Sequence, residues 1–275
     1  MIVAATVNGA GPFNFLVDTG TNTTLIDPQL ATELALKSVD KVALGSLGDS
    51  VATARHFLAL RVGPAAVSHM EALAVPLPQL QALDSSVRGV LGMNFLLQFS
   101  FELDYEHQRF VIFPDPRTAA VPDGLRTRAE INQARLLVSV ASSAAPKGIW
   151  KLALDSGIAQ PLVFDTRINL PAVNATSCAN ANCLMQVSTN LGEHSAAAVT
   201  VHDLSISGEV LEDASVVVLP SGEISASDPQ DGLLAASFFA SVFFDRVTAS
   251  LIFSPRLPRQ IAAGGSVQVD RESPR

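Results

Sequence analysis

The pattern of hydrophobic and polar positions predicts short β-strands along almost the whole chain. Runs of Val, Ile, Leu, Phe and Thr alternate with Gly, Pro, Asn and Asp, which is typical of strands separated by turns. Val3–Val7 and Phe13–Val17 flank the dipeptide Asn8-Gly9, and this arrangement predicts a β-hairpin with a tight turn. The pattern therefore indicates an all-β fold.

Helical periodicity is weak and confined to short segments. Pro28–Leu36 is expected to form a helix, with Asp27 as its N-cap and Pro28 at the first helical position. A second short helix is expected after Gly92. The longest apolar segment, Leu233–Phe244, is shorter than the roughly 18 residues that a membrane-spanning helix needs, so it is predicted to be a core element.

The same series of patterns occurs twice. One apolar strand ends in Asp18-Thr19-Gly20 and a later one ends in Asp155-Ser156-Gly157. Each half then has a glycine before two apolar residues, and each closes with an apolar strand. Equivalent landmarks are separated by 137, 143 and 140 residues, from Asp18 to Asp155, from Gly89 to Gly232 and from Phe113 to Phe253. The nearly constant separation predicts a tandem duplication.

The repeat also predicts the domain organisation. We expect an N-terminal lobe at 1–116, a linker at 117–131 that is weak in strand pattern, and a C-terminal lobe at 132–258. The final residues, 259–275, are rich in Gly, Ser and charge, which is typical of a loosely attached tail.

Composition excludes several classes of function. Apolar residues make up 48% of the chain and charged residues 16%, the net charge is −8 and no basic run occurs, so nucleic acid and anionic membranes are not expected as partners. No stable membrane insertion is expected. The histidines are scattered and no dinucleotide-binding glycine motif is present, so neither a metal site nor a cofactor is predicted.

The duplicated Asp-Thr/Ser-Gly tripeptide is the strongest indication of chemistry. A single copy also suits an ordinary turn, but two copies at equivalent places in a repeat are far rarer. The segment Phe15–Thr21, with the later turn Val90-Leu91-Gly92, resembles the aspartic peptidase superfamily, specifically bacterial relatives of its retropepsin-like group. The likeness covers roughly residues 1–258, and the second copy makes the chain similar to two such units fused together, the arrangement that pepsin has.

This resemblance implies two β-barrel-like lobes in a pepsin-like arrangement, with the active site between them. It makes Asp18 and Asp155 the catalytic residues of an endopeptidase that acts on peptide or protein substrates, as a monomer and best at acidic pH. Gly20 and Gly157 would let backbone N–H groups approach the carboxylates. In the family, hydroxyls such as those of Thr19 and Ser156 lock the lobes together through reciprocal hydrogen bonds.

The two halves differ in ways that matter to this interpretation. Thr21 follows the first motif and can donate a hydrogen bond to Asp18, whereas Ile158 at the equivalent place cannot. We therefore expect Asp18 to be ionised more readily and Asp155 to hold the proton more often. Ala235 replaces the equivalent of Gly92, which leaves open whether the C-terminal lobe is fully active.

Glycine-containing turns predict a lid over the substrate. The expected lid residues are Ser46, Leu47, Gly48, Asn190, Leu191 and Gly192. Ordinary surface hairpins are the alternative. The only tyrosine, Tyr105, is far from both segments along the chain, so a pepsin-type lid tyrosine is not expected.

Cys178 and Cys183 enclose a short polar loop that favours a disulfide, with two free thiols as the alternative. A disulfide would favour an extracytoplasmic location. Two other interpretations of the whole chain stay open: a peptidase-like binding or scaffold protein without turnover, and an enzyme assembled from the N-terminal lobes of two chains.

Overall fold

The computed structural model describes residues 1–46, 49–169, 184–188, 193–211, 214–219 and 229–256 of the 275-residue chain. Strands dominate these ranges, and only three short α-helices occur in them. The predicted all-β fold class is confirmed.

Within the described residues, the first half of the chain contains nine strands and the three helices. The strands are β1 Ile2–Val7, β2 Ala10–Val17, β3 Thr24–Ile26, β4 Ser38–Ser46, β5 Asp49–Val62, β6 Ala65–Ala74, β7 Val87–Leu91, β8 Ser100–Asp104 and β9 Arg109–Phe113. The helices are α1 Pro28–Glu33, α2 Pro78–Leu83 and α3 Met93–Leu96.

The second half has thirteen strands within the described residues. They are β10 Leu125–Arg128, β11 Glu130–Asn132, β12 Arg135–Ala141, β13 Ile149–Asp155, β14 Leu162–Phe164, β15 Leu184–Ser188, β16 Glu193–Val201, β17 Ser205–Ile206, β18 Glu209–Val210, β19 Ala214–Leu219, β20 Gly232–Ala235, β21 Ser241–Asp245 and β22 Ser250–Ser254. Short 3-10 turns occur at Pro116–Thr118, Asp165–Arg167 and Ala236–Phe238.

The predicted first hairpin is present. β1 and β2 pair antiparallel, with Ala5 opposite Phe13. Asn8 and Gly9 have φ of 50° and 84°, and two successive positive φ angles are typical of the tight turns that match the twist of a hairpin.

Helix α1 is shorter than the sequence predicts. Its start is as expected, because the Asp27 side chain accepts a hydrogen bond from the Gln29 N–H (3.1 Å) and Pro28 occupies the first turn. It ends at Glu33 instead of Leu36, since Ala35 has a φ of 47°, which no helix can continue through. Helix α3 lies where the second short helix was predicted.

The first lobe is built around a closed barrel of six strands. They follow the order β1-β2-β7-β3-β6-β5, and β1 pairs with β5 to complete the ring. β4 pairs with the outer part of β5. Closure removes the free sheet edges that an open sheet would expose.

The second lobe repeats the pairing pattern of the first. In the first lobe β2 runs parallel to β7, which is antiparallel to β3, and β3 runs parallel to β6. In the second lobe β13 runs parallel to β20, which is antiparallel to β14, and β14 runs parallel to β19. The two-lobed arrangement expected from the sequence repeat is thus the observed one.

The repeated glycine before each apolar pair has a steric cause. A Cβ atom on Gly89 would lie 2.6 Å from the carbonyl oxygen of Leu25, and one on Gly232 would lie 2.8 Å from Cα of Val163. Both distances are too short for a side chain. Glycine therefore allows β7 and β20 to pass close to β3 and β14 in the two lobes.

A third sheet joins the two halves, in the order β10-β22-β21-β8-β9. β8 of the first half pairs antiparallel with β21 of the second, with Phe101 opposite Phe244 and Leu103 opposite Val242. The rings of Phe101 and Phe244 have centroids 5.5 Å apart. This shared sheet fixes the position of one lobe relative to the other.

The segment predicted to be a linker contributes to this sheet. β10 pairs with β22, with Leu125 opposite Phe253, and β11 pairs with β12. Arginines alternate with half-buried residues in β10, so its hydrophobic pattern is too weak to predict a strand. None of the described helices is long and apolar enough to cross a membrane.

Candidate active site

Asp18 lies at the point where β2 ends. Its N–H donates to the carbonyl oxygen of Leu91 on β7 (3.1 Å), which continues the parallel pairing of the two strands by one step. Asp155 is the last residue of β13 and lies opposite Ala235 on β20. The two acids therefore occupy equivalent places in the two lobes.

The structure brings the two motifs together. A Cβ atom on Gly20 would overlap the carboxylate of Asp155, at 2.5 Å from its Cγ. A Cβ atom on Gly157 would lie 3.5 Å from Oδ1 of Asp18 and 3.2 Å from Oδ1 of Asp155. The glycine of each motif thus lies against the acid of the other motif, so the two carboxylates face a common space.

Of the two hydroxyls expected to join the lobes, that of Ser156 makes hydrogen bonds between them. Ser156 Oγ accepts from the Thr19 N–H (3.0 Å) and donates to the carbonyl oxygen of Val17 (3.1 Å). Thr19 Oγ1 is buried and has no hydrogen-bond partner among the described residues. The described contacts therefore contain only the Ser156 half of the reciprocal exchange that the family resemblance implied.

The hydrogen bonds to the two acids are unequal. Asp18 Oδ1 accepts from the Gly20 N–H (2.8 Å), and Oδ2 accepts from the Thr21 hydroxyl (2.6 Å). Asp155 Oδ1 accepts from the Gly157 N–H (2.6 Å), but Ile158 has no hydroxyl to offer. Among the described residues, Asp18 thus accepts hydrogen bonds at both of its carboxylate oxygens, whereas Asp155 accepts one at a single oxygen.

Burial adds to this difference. Only 7% of Asp155 is exposed. Burial and then the negative charge of Asp18 raise the pKa of Asp155 to about 7, while the Gly157 N–H and the charge of Arg135 act in the opposite direction. An aspartate in water titrates near about 4. Asp155 therefore holds its proton to a higher pH than an aspartate in water does.

Tyr105 lies near this pair, although sequence reasoning gave it no role. Burial, followed by the charges of Asp155 and Asp18, raises the pKa of its hydroxyl, so the side chain stays neutral. The hydroxyl is buried and has no hydrogen-bond partner within the described part of the chain. Tyr105 directly follows β8, and its N–H donates to the carbonyl oxygen of Ala240 (2.8 Å).

Asn94 is a second residue that sequence reasoning missed. Its Oδ1 accepts from the N–H and the hydroxyl of Thr24 (2.9 and 2.8 Å), and its Nδ2 donates to the carbonyl oxygen of Glu71 (2.7 Å). These bonds fix the chain that follows the first motif. At the equivalent place in the second repeat, Ser237 donates to the carbonyl oxygen of Ile158 (3.0 Å). A polar residue therefore occurs at this position in both repeats, and this feature of the sequence could have identified Asn94.

The substitution at Ala235 is accommodated without loss of pairing. A Cβ atom on Gly92 would lie 2.7 Å from the carbonyl carbon of Thr23 and 2.8 Å from the nitrogen of Thr24, so only glycine fits there. Ala235 is fully buried and keeps its place opposite Asp155 in the ladder of β13 and β20. The second lobe thus has space for the methyl group of Ala235, whereas the first lobe has no space for a methyl group at Gly92.

Along the chain, each predicted lid segment lies between two strands that pair antiparallel. Ser46 ends β4 and pairs with Asp49, while Leu47 and Gly48 lie outside the described residues. The residues 190–192 follow β15, whose Ser188 pairs with Glu193, and they also lie outside the described residues. The function of these hairpins as lids stays a prediction.

Other predicted features cannot be located. Cys178, Cys183 and the tail 259–275 lie outside the described residues. Within the described ranges, no group of three or more His, Cys, Asp or Glu side chains is arranged to hold a metal ion.

Comparison with known proteins identifies the fold. Residues 3–95, which include Asp18, match the family described as aspartyl protease. The crystal structure of an aspartic proteinase from Irpex lacteus superposes with a TM-score of 0.53 at 13% sequence identity, over 96% of both chains. The chain has the two-lobed fold of the aspartic peptidase superfamily. No curated protein matches its sequence.

The resemblance predicted from the two motifs is thereby confirmed. The structural match extends over both lobes, whereas the family match ends at residue 95, before the second motif. At 13% identity the structural match shows the fold alone. The family match over residues 3–95 is the comparison that supports aspartic peptidase activity and peptide substrates.

Proposed function

We propose that this chain is an aspartic endopeptidase that hydrolyses peptide bonds in extended polypeptides through a water molecule activated by Asp18 and Asp155. One observation carries the proposal: the glycine of each motif lies against the carboxylate of the other motif, so acids from two halves of the chain face one space. Hydrolysis without a metal or a covalent intermediate needs one base and one acid, and two neighbouring carboxyls that share a proton supply both.

The unequal surroundings of the two acids suggest their roles. Asp18 accepts hydrogen bonds at both oxygens and would act as the base that takes a proton from water. Asp155 is buried and would hold the shared proton, which it would donate to the carbonyl oxygen of the scissile bond as the water attacks the carbon. As the tetrahedral intermediate collapses, the proton on Asp18 would pass to the leaving nitrogen and a hydroxyl proton of the intermediate would return to Asp155. The carbon–nitrogen bond then breaks and the two peptides leave.

The proposed roles imply a pH dependence. The active form carries one proton on the pair, so activity should be lost as Asp155 ionises. Because the pKa of Asp155 is raised to about 7, the alkaline limb of kcat/KM should fall near that pH, although the pair titrates as a unit. An enzyme whose activity rises steadily from pH 6 to pH 9 would contradict this assignment of roles.

The hairpins support an extended substrate. The β4–β5 and β15–β16 strand pairs are the equivalent elements of the two lobes, and the predicted lid lies between the two strands of each pair along the chain. A peptide held between such hairpins and the two acids would bind as a strand, with alternate side chains facing opposite ways. We propose a single chain as the active unit, since both acids belong to it.

Substitution of either acid tests the proposal. Asp18→Asn and Asp155→Asn should each abolish cleavage of a denatured protein at pH 5, while Asp123→Asn, which removes an exposed carboxylate elsewhere, should retain the parental rate. Circular dichroism of each variant would show that the fold is kept. Parental activity in either active-site variant would refute the proposal.

A statine-type transition-state mimic separates catalysis from simple peptide binding. It should inhibit cleavage by the parental protein at the concentration at which it binds. A folded parental protein that binds the mimic but cleaves no substrate would instead be a peptide-binding protein without turnover.

A further inference from the structure

We propose that Arg135 is a positioning residue of the active site, whose guanidinium group stabilises the ionised form of the Asp155 carboxylate and so sets the upper end of the active pH range. This inference rests on the proposed function. It concerns a residue outside both motifs, in the hairpin that leads to the second motif.

The strand register brings Arg135 to the same end of the β12–β13 hairpin as Asp155. β12 and β13 pair antiparallel, with Leu137 opposite Ala153. The last pair of this ladder is Leu137 and Ala153, and Arg135, the first residue of β12, and Asp155, the last residue of β13, each lie two residues beyond it. Both residues therefore lie at the same end of the β12–β13 hairpin.

The face on which both side chains lie is identified by their neighbours. Side chains alternate between the two faces of a strand, so Arg135 shares a face with Leu137, and Asp155 shares a face with Ala153. Leu137 and Ala153 both belong to one small buried cluster in the second lobe. Arg135 and Asp155 therefore lie at the same margin of that cluster.

A buried amide anchors the arginine. Nη1 of Arg135 donates to Oε1 of Gln230 (2.6 Å), and Gln230 is only 5% exposed. The next residue, Asp231, holds this segment to β13, since its N–H donates to the carbonyl oxygen of Lys151 (2.7 Å) and its Oδ2 accepts from the Lys151 N–H (2.8 Å). The guanidinium is thus tied to a fixed part of the second lobe.

Three charged or titratable groups act on Asp155. Asp18, at the end of β2, opposes its ionisation. Tyr105, which follows β8, stays neutral because its own pKa is raised. Arg135 is the one positive group whose charge lowers the pKa of Asp155 among the described residues. Its effect is therefore opposite to those of burial and of Asp18.

The functional consequence is a limit on the active pH range. Without Arg135 the protonated form of Asp155 would persist to higher pH, and the pair would keep its single proton up to that higher pH. The arginine is thus expected to lower the upper limit of the active pH range, so that activity is confined to lower pH.

Removal of the charge should produce a gain of relative activity at high pH. Arg135→Gln should move the alkaline limb of kcat/KM upward by about half a pH unit, so the ratio of activity at pH 8 to that at pH 5 should rise about threefold. Arg135→Lys keeps the charge and should retain the parental profile. Arg61→Gln removes an exposed arginine from β5 and is the matched control, for which no shift is expected.

A structural role alone would give a different result. A folded Arg135→Gln enzyme that loses activity equally at all pH values, with an unshifted limb, would overturn the proposal. If Arg135→Gln does not fold, Gln230→Ala provides the test. It keeps the charge of Arg135 but removes the hydrogen bond that holds the guanidinium group in place. It should shift the limb in the same direction, and an unshifted profile in Gln230→Ala would equally overturn the proposal.

Direct titration separates this inference from the proposed function. The ¹³C carboxyl signal of Asp155, assigned with Asp155→Asn, should titrate near pH 7 in the parental protein and at higher pH in Arg135→Gln. An inactive parental protein with this difference would refute the peptidase and leave the role of Arg135 standing. Equal midpoints in an active enzyme would refute the role of Arg135 alone.

Discussion

At the scale of single residues, glycines lie where the two motifs meet. Gly20 lies so close to the Asp155 carboxylate that a Cβ atom would overlap it, whereas a Cβ atom on Gly157 would meet its nearest carboxylate oxygen at 3.2 Å. The first distance requires the acid to move, and the second requires only a small adjustment. The two equivalent glycines should therefore respond differently to the same substitution.

Gly20→Ala should be much more damaging than Gly157→Ala. Because the new methyl group would displace Asp155, Gly20→Ala should reduce kcat/KM by more than about 100-fold, the loss expected when a catalytic group moves by about 1 Å. Gly157→Ala should reduce kcat/KM by a substantially smaller factor. The measurement is kcat/KM for both variants on one peptide substrate, and equal losses would contradict the geometry.

The buried acid should also affect stability in a pH-dependent way. Unfolding exposes Asp155 and returns its pKa from about 7 to the ordinary value near about 4. Between these values the folded state binds the extra proton, so the contribution of Asp155 to the free energy of unfolding is fully present below about pH 4 and is lost as pH rises through 7.

Asp155→Asn should therefore stabilise the protein selectively at neutral and higher pH. The amide cannot ionise, so the variant should exceed the parental free energy of unfolding by an amount on the order of 2–4 kcal/mol at pH 8, with little difference at pH 4. Urea unfolding at both pH values measures this. A difference between variant and parent that does not depend on pH would show that Asp155 titrates normally.

At the scale of elements, local patterns predicted more than long-range pairings. The β1–β2 hairpin and the start of α1 follow from residues adjacent in sequence, Asn8-Gly9 in one case and Asp27-Pro28 in the other. The pairing of β8 with β21 joins residues more than 100 positions apart, and no local pattern specifies it. β10 was missed for the same reason, since only its partner β22 makes it a strand.

The sheet between the lobes provides the prediction at this scale. Phe244 is fully buried on β21 and packs against Phe101 of β8, so Phe244→Ala should lower the free energy of unfolding by about 3–5 kcal/mol. Val247→Ala, at an exposed position of the following turn, should change it by less than about 0.5 kcal/mol. Chemical denaturation measures both, and similar values for the two would contradict the role of this sheet.

At the scale of the molecule, the duplication made the two-lobed fold predictable, because three landmarks recur in the same order at nearly constant separation. The same reasoning identified Asp18 and Asp155 as partners, and their motifs do meet in the structure. It failed where the halves have diverged. Within the described residues, the Thr19 hydroxyl has no hydrogen-bond partner, and Arg135 is held by Gln230. Both features depend on contacts between distant parts of the chain, which a comparison of motifs does not show.

The central claim is that acids from the two halves act on one substrate group. A crystal structure of the protein with a statine-type mimic at pH 5 tests this most directly. The account predicts that the hydroxyl of the mimic lies within hydrogen-bond distance, about 2.6–3.2 Å, of both the Asp18 and the Asp155 carboxylates. A hydroxyl that contacts only one of them, or a mimic bound elsewhere, would contradict it.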